Sequence, residues 1–207
     1  LTMFPEAGHQ AGKFFNTFKK GFPRVAFAAA EKSDYTLDFK ILPMYIYYTD
    51  YFNMRGRQVI VVGEPFAIDE FYDLYKSEPN TAYMAMNQKA REAVRRLGID
   101  VLDHEQNYPQ YDMIFKVCRS QVLADPHAFD ELEVFGTPED RQPKNAYAWM
   151  LSDKKLNLIL EKMKEQSPER YEQVMQMAAE YREGLQTLRL RDWLFEKKIT
   201  GRKNFAT

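Results

Sequence analysis

Residues 39–48 read FKILPMYIYY, an apolar run in which hydrophobic side chains hardly alternate with polar ones. A run of this kind is typical of a strand that is buried on both faces. A second run, RQVIVVGEPF at 57–66, also predicts a strand, which Gly63 and Pro65 end. Two such runs close together indicate that a buried sheet organises this part of the chain.

The residues before these runs predict a helix and a further strand. The segment RVAFAAAEK at 24–32 predicts a helix; Pro23 suits its first turn, and its alanine-rich face allows close packing on a sheet. LTMF at 1–4 predicts the end of another buried strand, because it is apolar and because Pro5 cannot donate to a sheet ladder. The order strand, helix, strand predicts an α/β fold with flanking helices.

The second half of the chain has a helical pattern. Helices are predicted near 110–124 and 126–135, and two or three more follow a proline-bearing loop. Ser-Pro at 167–168 is a strong signal for a helix start. We therefore expect an α/β domain over 1–103, followed by a mainly helical extension over 104–207.

The composition excludes several classes of function. The 207 residues carry a net charge of −1 and a pI near 6.4, which gives no electrostatic basis for wholesale nucleic-acid binding. The single cysteine, Cys118, rules out an intramolecular disulfide framework and is expected to act as a small buried hydrophobe. The most apolar stretches, 25–30 and 41–48, are far shorter than the roughly 20 residues of a membrane-spanning helix, so no such segment is expected.

A candidate binding site follows directly after the first predicted strand. Gly8 allows a tight turn and the close approach of a ligand, and Glu6 lies at the strand end, where α/β sheets bind ligands. A carboxylate suits hydroxyl groups, whereas cations and a helix N-terminus suit a phosphate. This combination predicts a glycerol-phosphate type of substrate. The cations lie within twelve residues of one another: Lys13, Lys19, Lys20 and Arg24.

The order of these segments resembles the glycerolipid acyltransferase superfamily, whose best-known members are the 1-acylglycerol-3-phosphate acyltransferases. Phe-Pro-Glu at 4–6 matches the start of the family's acceptor-binding block, and FKKG at 18–21 precedes an alanine-rich helix as it does there. Ile-Leu-Pro at 41–43 matches a later block, and VGEP at 62–65 matches a usual ending. The resemblance covers roughly residues 1–100.

The resemblance implies a function and a set of site residues. The enzyme would move a fatty acyl chain from acyl-CoA or acyl carrier protein to a hydroxyl of a lysophospholipid-like acceptor, in phospholipid biosynthesis. It would need no metal or other cofactor and would work peripherally at the cytoplasmic side of a membrane. Glu6, with Gly8 in its turn, would hold the acceptor. The pocket near Pro43 would shape the acyl site, and the acceptor's phosphate would be addressed by His9, Lys20 and Arg24.

The chain departs from the family in two ways. His9 stands where the family has a phosphate-binding arginine, so that role falls to His9, to the lysines, or to Arg55 and Arg57. The family's catalytic His-x-x-x-x-Asp motif is also absent. The residues five positions after the three histidines are Phe14, Pro109 and Leu132.

The missing motif leads to two hypotheses. In the first, this chain is the acceptor-binding half of a longer acyltransferase whose catalytic base precedes Leu1. An exposed sheet edge and apolar face would then be covered by a homo-oligomer or by more chain. In the second hypothesis, the chain is a non-catalytic lipid- or partner-binding module on an acyltransferase scaffold.

Three features also have simpler interpretations. Without the family pattern, Glu6 is more often a residue that caps a turn. His127 with Asp130 and Glu131 has a spacing that allows metal binding, although a solvated helix face is the favoured interpretation. The segment 188–198 carries apolar and basic residues that suit a membrane surface, but packing within the protein is favoured there.

Overall fold

The computed structural model describes residues 1–6, 8, 10–52, 54 and 56–192. Short strands lie in the first third of the chain, and helices dominate the rest. The strands are β1 Lys40–Ile41, β2 Met44–Tyr48, β3 Gln58–Val62 and β4 Phe66–Ala67. The helices are α1 Gly21–Lys32, α2 Tyr72–Ser77, α3 Pro79–Leu97, α4 His104–Ala124, α5 Ala146–Gln166 and α6 Pro168–Thr187, with 3₁₀ turns at Asp69–Phe71 and Pro138–Arg141.

The strands form two small antiparallel sheets. β2 pairs with β3, with Met44 opposite Val62, and β1 pairs with β4. The predicted strand at 39–48 is therefore two strands, separated where Pro43 has no N–H to give to a ladder. The general expectation of a mixed helix and sheet fold is confirmed.

The prediction that the run at 39–48 is buried on both faces is wrong. Tyr45 and Tyr47 of β2 are buried, and Val61 of β3 is buried beside them. Met44 and Ile60, on the opposite face, are exposed. The hairpin thus has one face in the core and one in solvent, as antiparallel sheets commonly do.

The prediction of a buried strand at 1–4 is also wrong. These residues are exposed and belong to none of the described strands; Phe4 is 74% exposed. Pro5 instead ties this segment to the chain further on, because its carbonyl accepts a hydrogen bond of 2.7 Å from the Lys19 N–H.

The helix predicted at 24–32 is confirmed as α1, which has Pro23 in its first turn. Its buried face packs on α3, in a cluster that Ile41 of β1 and Phe66 of β4 also join. Phe27 is fully buried, and its ring stacks on Tyr75 of α2 with the centroids 4.3 Å apart. These contacts form a small core of their own, which also contains Ile68 and Met86.

The helical character of the C-terminal region is confirmed by α4, α5 and α6, which pack on one another. Pro168 begins α6, as predicted. The segment 126–135 forms turns, so its predicted helix is wrong: the Asp125 side chain accepts from the His127 N–H and starts a turn instead. The predicted segment at 188–198 lies mostly outside the described residues.

The main core joins the two halves of the chain. It contains Tyr47 and Val61 from the hairpin together with Phe115 of α4 and Leu151 of α5. The division near residue 103 stays a prediction, but helices on its C-terminal side complete the core on which the hairpin packs. This arrangement brings side chains of α4 and α5 to the loop that carries the candidate site.

Candidate functional site

The centre of the candidate site is a contact between Glu6 and the loop before α1. Oε2 of Glu6 accepts a hydrogen bond of 2.8 Å from the Asn16 backbone N–H. The Pro5 carbonyl and the Lys19 N–H make a second link between the same two segments. Between these segments lies a cleft of about 330 Å³, lined by Glu6, Gly8, Gln10, Asn16, Thr17 and Lys19.

The structure brings some of the predicted site residues together in this cleft. Glu6 and Gly8 line it, as does Lys19, one of the four cations noted in the sequence. The carboxylate and the ammonium group therefore share one small opening. Burial, Tyr48 and the charge of Glu6 raise the pKa of Tyr51 to about 12, so Tyr51 stays protonated near this carboxylate at neutral pH.

Other predicted residues do not line this cleft as far as the structure describes it. Lys20 immediately precedes α1, and the Arg24 guanidinium lies 5.8 Å from the centre of the Tyr83 ring. Pro43 is buried, and its carbonyl accepts a hydrogen bond of 3.0 Å from the Gly63 N–H. His9 and Arg55, proposed for the phosphate, lie outside the described residues.

Lys13 does not fit the expectation that it faces a phosphate. It is 7% exposed, and its Nζ lies 3.0 Å from Oδ2 of Asp153 on α5. The same Nζ lies 5.1 Å from the centre of the Phe115 ring. The charge of Lys13 is thus used inside the protein, in an ion pair between the N-terminal loop and the C-terminal helices.

Asp153 is the centre of a buried ionic cluster. Its side chain is fully buried and accepts two hydrogen bonds of 3.0 Å from Arg119, in addition to the ion pair with Lys13. The Tyr47 hydroxyl donates a further bond of 2.8 Å. Burial and the Asp153 charge hold the pKa of Tyr47 well above its ordinary value. Burial alone would lower the pKa of Arg119, but Asp153 raises it, so the Arg119 guanidinium stays charged.

A second buried carboxylate holds the same loop at a point that lies nearer to Glu6. Oδ1 of Asp100 accepts a bond of 2.9 Å from the Phe15 N–H, and its Oδ2 lies 3.1 Å from Nη2 of Arg91. Arg91 also donates to the carbonyls of Phe15 and Asn16. The main chain beside Asn16 is therefore fixed on both its N–H and its carbonyl side.

A larger cleft of about 820 Å³ lies between α4 and α6. Arg119 reaches it from the buried cluster, and the ring of Trp149 lies 4.9 Å from the guanidinium carbons of both Arg119 and Arg57. Charged groups of both signs line it beside apolar ones, among them Lys116, Arg182, Arg191, Asp50, Asp112, Asp192, Met113 and Leu185.

The remaining candidates are a histidine and a cysteine. His127 is exposed on a turn, and its hydrogen bond of 2.9 Å with Asp130 raises its pKa. In the described parts of the chain, no three side chains form a group suited to a metal ion. Cys118 is half-buried against the main core, and this burial raises the pKa of its thiol.

The sequence interpretation found the Glu6 cleft but missed Asp100, Asp153, Arg91 and Arg119. Nothing local in the sequence marks these residues, because charged residues usually face solvent. Only the packing of α3, α4 and α5 brings Arg91, Asp100 and Asp153 to the loop at 12–17, and Arg119 to Asp153.

Comparisons with known proteins found no match for the chain among protein families, curated proteins or solved structures. Within residues 1–192, as far as they are described, no helix has the length and apolar character needed to cross a bilayer.

Proposed function

We propose that this chain provides the acceptor-binding part of an acyltransferase. The enzyme transfers a fatty acyl chain from acyl-CoA or acyl carrier protein to a hydroxyl of a glycerol-phosphate-like lipid, at the cytoplasmic surface of a membrane. The observation that carries the proposal is the cleft in which Glu6, Gly8 and Lys19 meet. Its support in the sequence is the order of the Phe-Pro-Glu, FKKG and Ile-Leu-Pro segments.

The chemistry of the cleft suits the headgroup of such an acceptor. A carboxylate accepts strong hydrogen bonds from hydroxyl groups, and the Lys19 ammonium attracts a phosphate. Helix α1 begins at Gly21, directly after Lys19 and Lys20, so its unpaired N–H groups follow the lysines along the chain. The volume of about 330 Å³ is at the small end for ligand sites, which fits a headgroup and leaves the acyl chain outside.

Within this proposal, the chain binds and orients the acceptor and does not supply the base. A base must take the proton of the attacking hydroxyl, and in the resembled family a His-x-x-x-x-Asp pair does so. None of the three histidines has Asp at the required position. Glu6 accepts the Asn16 N–H, so its carboxylate is held in one orientation before the acceptor arrives.

The test is acyl transfer by the natural protein with acyl-CoA and lysophosphatidate. We expect Glu6→Gln to lower kcat/KM by about 10- to 100-fold, because it removes the charge that binds the acceptor but keeps an oxygen for the Asn16 N–H. Lys19→Ala should mainly raise KM. Lys162→Ala, an exposed lysine on α5, is the matched control and should change neither constant.

The result also separates the two hypotheses. Turnover that depends on Glu6 supports the enzyme. Headgroup binding by a natural protein that shows no turnover supports the lipid-binding module instead. Full turnover by the Glu6→Gln variant removes Glu6 from the proposed site.

A further inference from the structure

A single lysine links the acceptor loop to the C-terminal helices through both its side chain and its main chain. The Lys13 Nζ pairs with Asp153 of α5, and its N–H donates a bond of 2.9 Å to the hydroxyl of Tyr108 on α4. The Lys13 carbonyl accepts a bond of 2.9 Å from the Val101 N–H. Lys13 is therefore fixed at three points, two of which lie on helices of the C-terminal region.

The fixed position of Lys13 extends to Glu6 over a few residues. Phe15 and Asn16 follow Lys13 in the loop, and the Asp100–Arg91 pair holds their main chain. The Asn16 N–H then donates to Glu6. The loop is thus anchored at Lys13 and ends, three residues later, on the carboxylate of the acceptor cleft.

We propose that Lys13 and Asp153 are a positioning pair for the acceptor cleft, through which the helical region sets the orientation of Glu6. This inference rests on the proposed function of the cleft. Neither residue lines the cleft, so neither touches the acceptor there. Their role is to hold the loop in the conformation in which Asn16 presents its N–H to Glu6.

The geometry around Asp153 allows the pair to be tested with a substitution that disturbs the core little. In Lys13→Met, Asp153 keeps both bonds from Arg119 and the bond from Tyr47, so no buried carboxylate is left unpaired. The methionine side chain also keeps apolar contact with the rings of Tyr47 and Phe115, over which Lys13 lies. The variant therefore removes the side-chain tether to Asp153, keeps both main-chain bonds of Lys13 and leaves the core largely intact.

Lys154 provides a matched control. It is 8% exposed, close to the 7% of Lys13, and it follows Asp153 on α5. Its ammonium donates to the Arg96 carbonyl and has no described contact with the loop at 12–17. Lys154→Met therefore removes an equally buried lysine without removing the tether.

The experiment is a calorimetric titration of the chain with sn-glycerol 3-phosphate, at a temperature where every variant is fully folded. We expect Lys13→Met to weaken binding by about tenfold, because a misoriented Glu6 loses about one charge-assisted hydrogen bond to the headgroup. Lys154→Met should leave the affinity unchanged. Lys13→Arg, which keeps a cation for Asp153, should restore most of the affinity. Equal affinity of wild type and Lys13→Met, or equal losses in Lys13→Met and Lys154→Met, would overturn the proposal.

Amide hydrogen exchange at Asn16 separates this inference from the proposed function. We expect faster exchange in Lys13→Met and wild-type exchange in Lys154→Met, whether or not a ligand binds. If exchange changes in this way but the wild type binds no headgroup, the link exists and the proposed function fails. If the wild type binds and Asn16 exchange is the same in all variants, the proposed function of the cleft is supported and the positioning role of Lys13 and Asp153 is wrong.

Discussion

The hydroxyl of Tyr47 donates a hydrogen bond of 2.8 Å to Oδ2 of Asp153, although the two residues are 106 positions apart in the sequence. Tyr47 lies on β2 and Asp153 on α5, and both are almost completely buried. The bond joins the hairpin to the helical region at the point where Lys13 also pairs with Asp153. The two regions are thus connected by polar contacts as well as by apolar packing.

Tyr47→Phe should lower the free energy of unfolding by about 1.5–3 kcal/mol, since a hydrogen bond to a charged group is lost in the core. Asp153 keeps Arg119 and Lys13, so the chain should still fold. Urea denaturation followed by circular dichroism measures the change. Tyr72→Phe is the control, because the Tyr72 hydroxyl makes no hydrogen bond among the described residues. This substitution should cost less than about 0.5 kcal/mol. Equal effects of the two substitutions would contradict the role of the bond.

Two glycines should respond to alanine with opposite signs. A Cβ at Gly98, at the end of α3, would lie 2.4 Å from the ring of Tyr45, so Gly98→Ala should destabilise the protein by about 1–3 kcal/mol. Gly184 lies within α6 with no atom within 4 Å of an added Cβ, so Gly184→Ala should stabilise by about 0.5–1 kcal/mol through helix propensity. Thermal melting of both variants checks the signs, and a stabilising Gly98→Ala would show that Tyr45 does not pack there.

Acid should weaken the contacts that Asp103, at the start of α4, makes with α5 and α6. Burial alone would raise the pKa of Asp103, but hydrogen bonds from Asn107, Lys164 and Tyr171 hold it below its ordinary value of 3.8. The folded-state pKa of Asp103 is lower than its pKa in the unfolded chain. The ionised carboxylate therefore stabilises the fold fully above the unfolded-state pKa, and this stabilisation is lost as pH falls through the folded-state pKa.

The test is the pH dependence of unfolding by urea, from about pH 6 down to acid well below the unfolded-state pKa. Asp103→Asn should lower the free energy of unfolding near pH 6. It should also make that free energy fall less steeply as the pH is lowered. The amide keeps a hydrogen-bond acceptor but no charge for Lys164. An unchanged slope in the variant would show that Asp103 does not contribute to acid unfolding.

The outer face of the β2–β3 hairpin should promote self-association. Met44, Ile60 and Val62 are 44%, 53% and 47% exposed on this face, which is unusual for neighbouring apolar residues. We expect the mass from light scattering to rise with concentration, and Ile60→Lys to suppress the rise. Leu37→Lys, which changes an exposed leucine in a turn, is the control. A wild type that stays monomeric at all concentrations would contradict the expected homo-oligomer.

Local sequence signals predicted the elements that depend on local physics. The position of Pro23 and the alanines predicted α1, the apolar run predicted β3, and Ser-Pro at 167–168 predicted the start of α6. The arrangement of the sheets could not be predicted in the same way. An apolar run predicts a strand, but it does not tell whether both faces of the strand are buried or one apolar face is exposed.

The site shows the same limit. Glu6 and Gly8 are close in sequence, and their turn was predictable from residue types. The ion pair between Lys13 and Asp153 was not, because it depends on how α5 packs on the hairpin. Lys13 in a basic segment is typical of a surface residue, and only its position beneath α4 and α5 makes it an internal anchor.

The most direct test of the acceptor cleft is a calorimetric titration of this chain with sn-glycerol 3-phosphate, comparing the wild type with Glu6→Gln and with the control Lys162→Ala. Glycerol, which lacks the phosphate, and inorganic phosphate, which lacks the hydroxyls, show whether both parts of the headgroup are needed. We predict that the wild type and Lys162→Ala bind the headgroup equally, and that Glu6→Gln binds about tenfold more weakly. Equal binding by all three proteins, or no binding by the wild type, would contradict the assignment of this cleft to the acceptor.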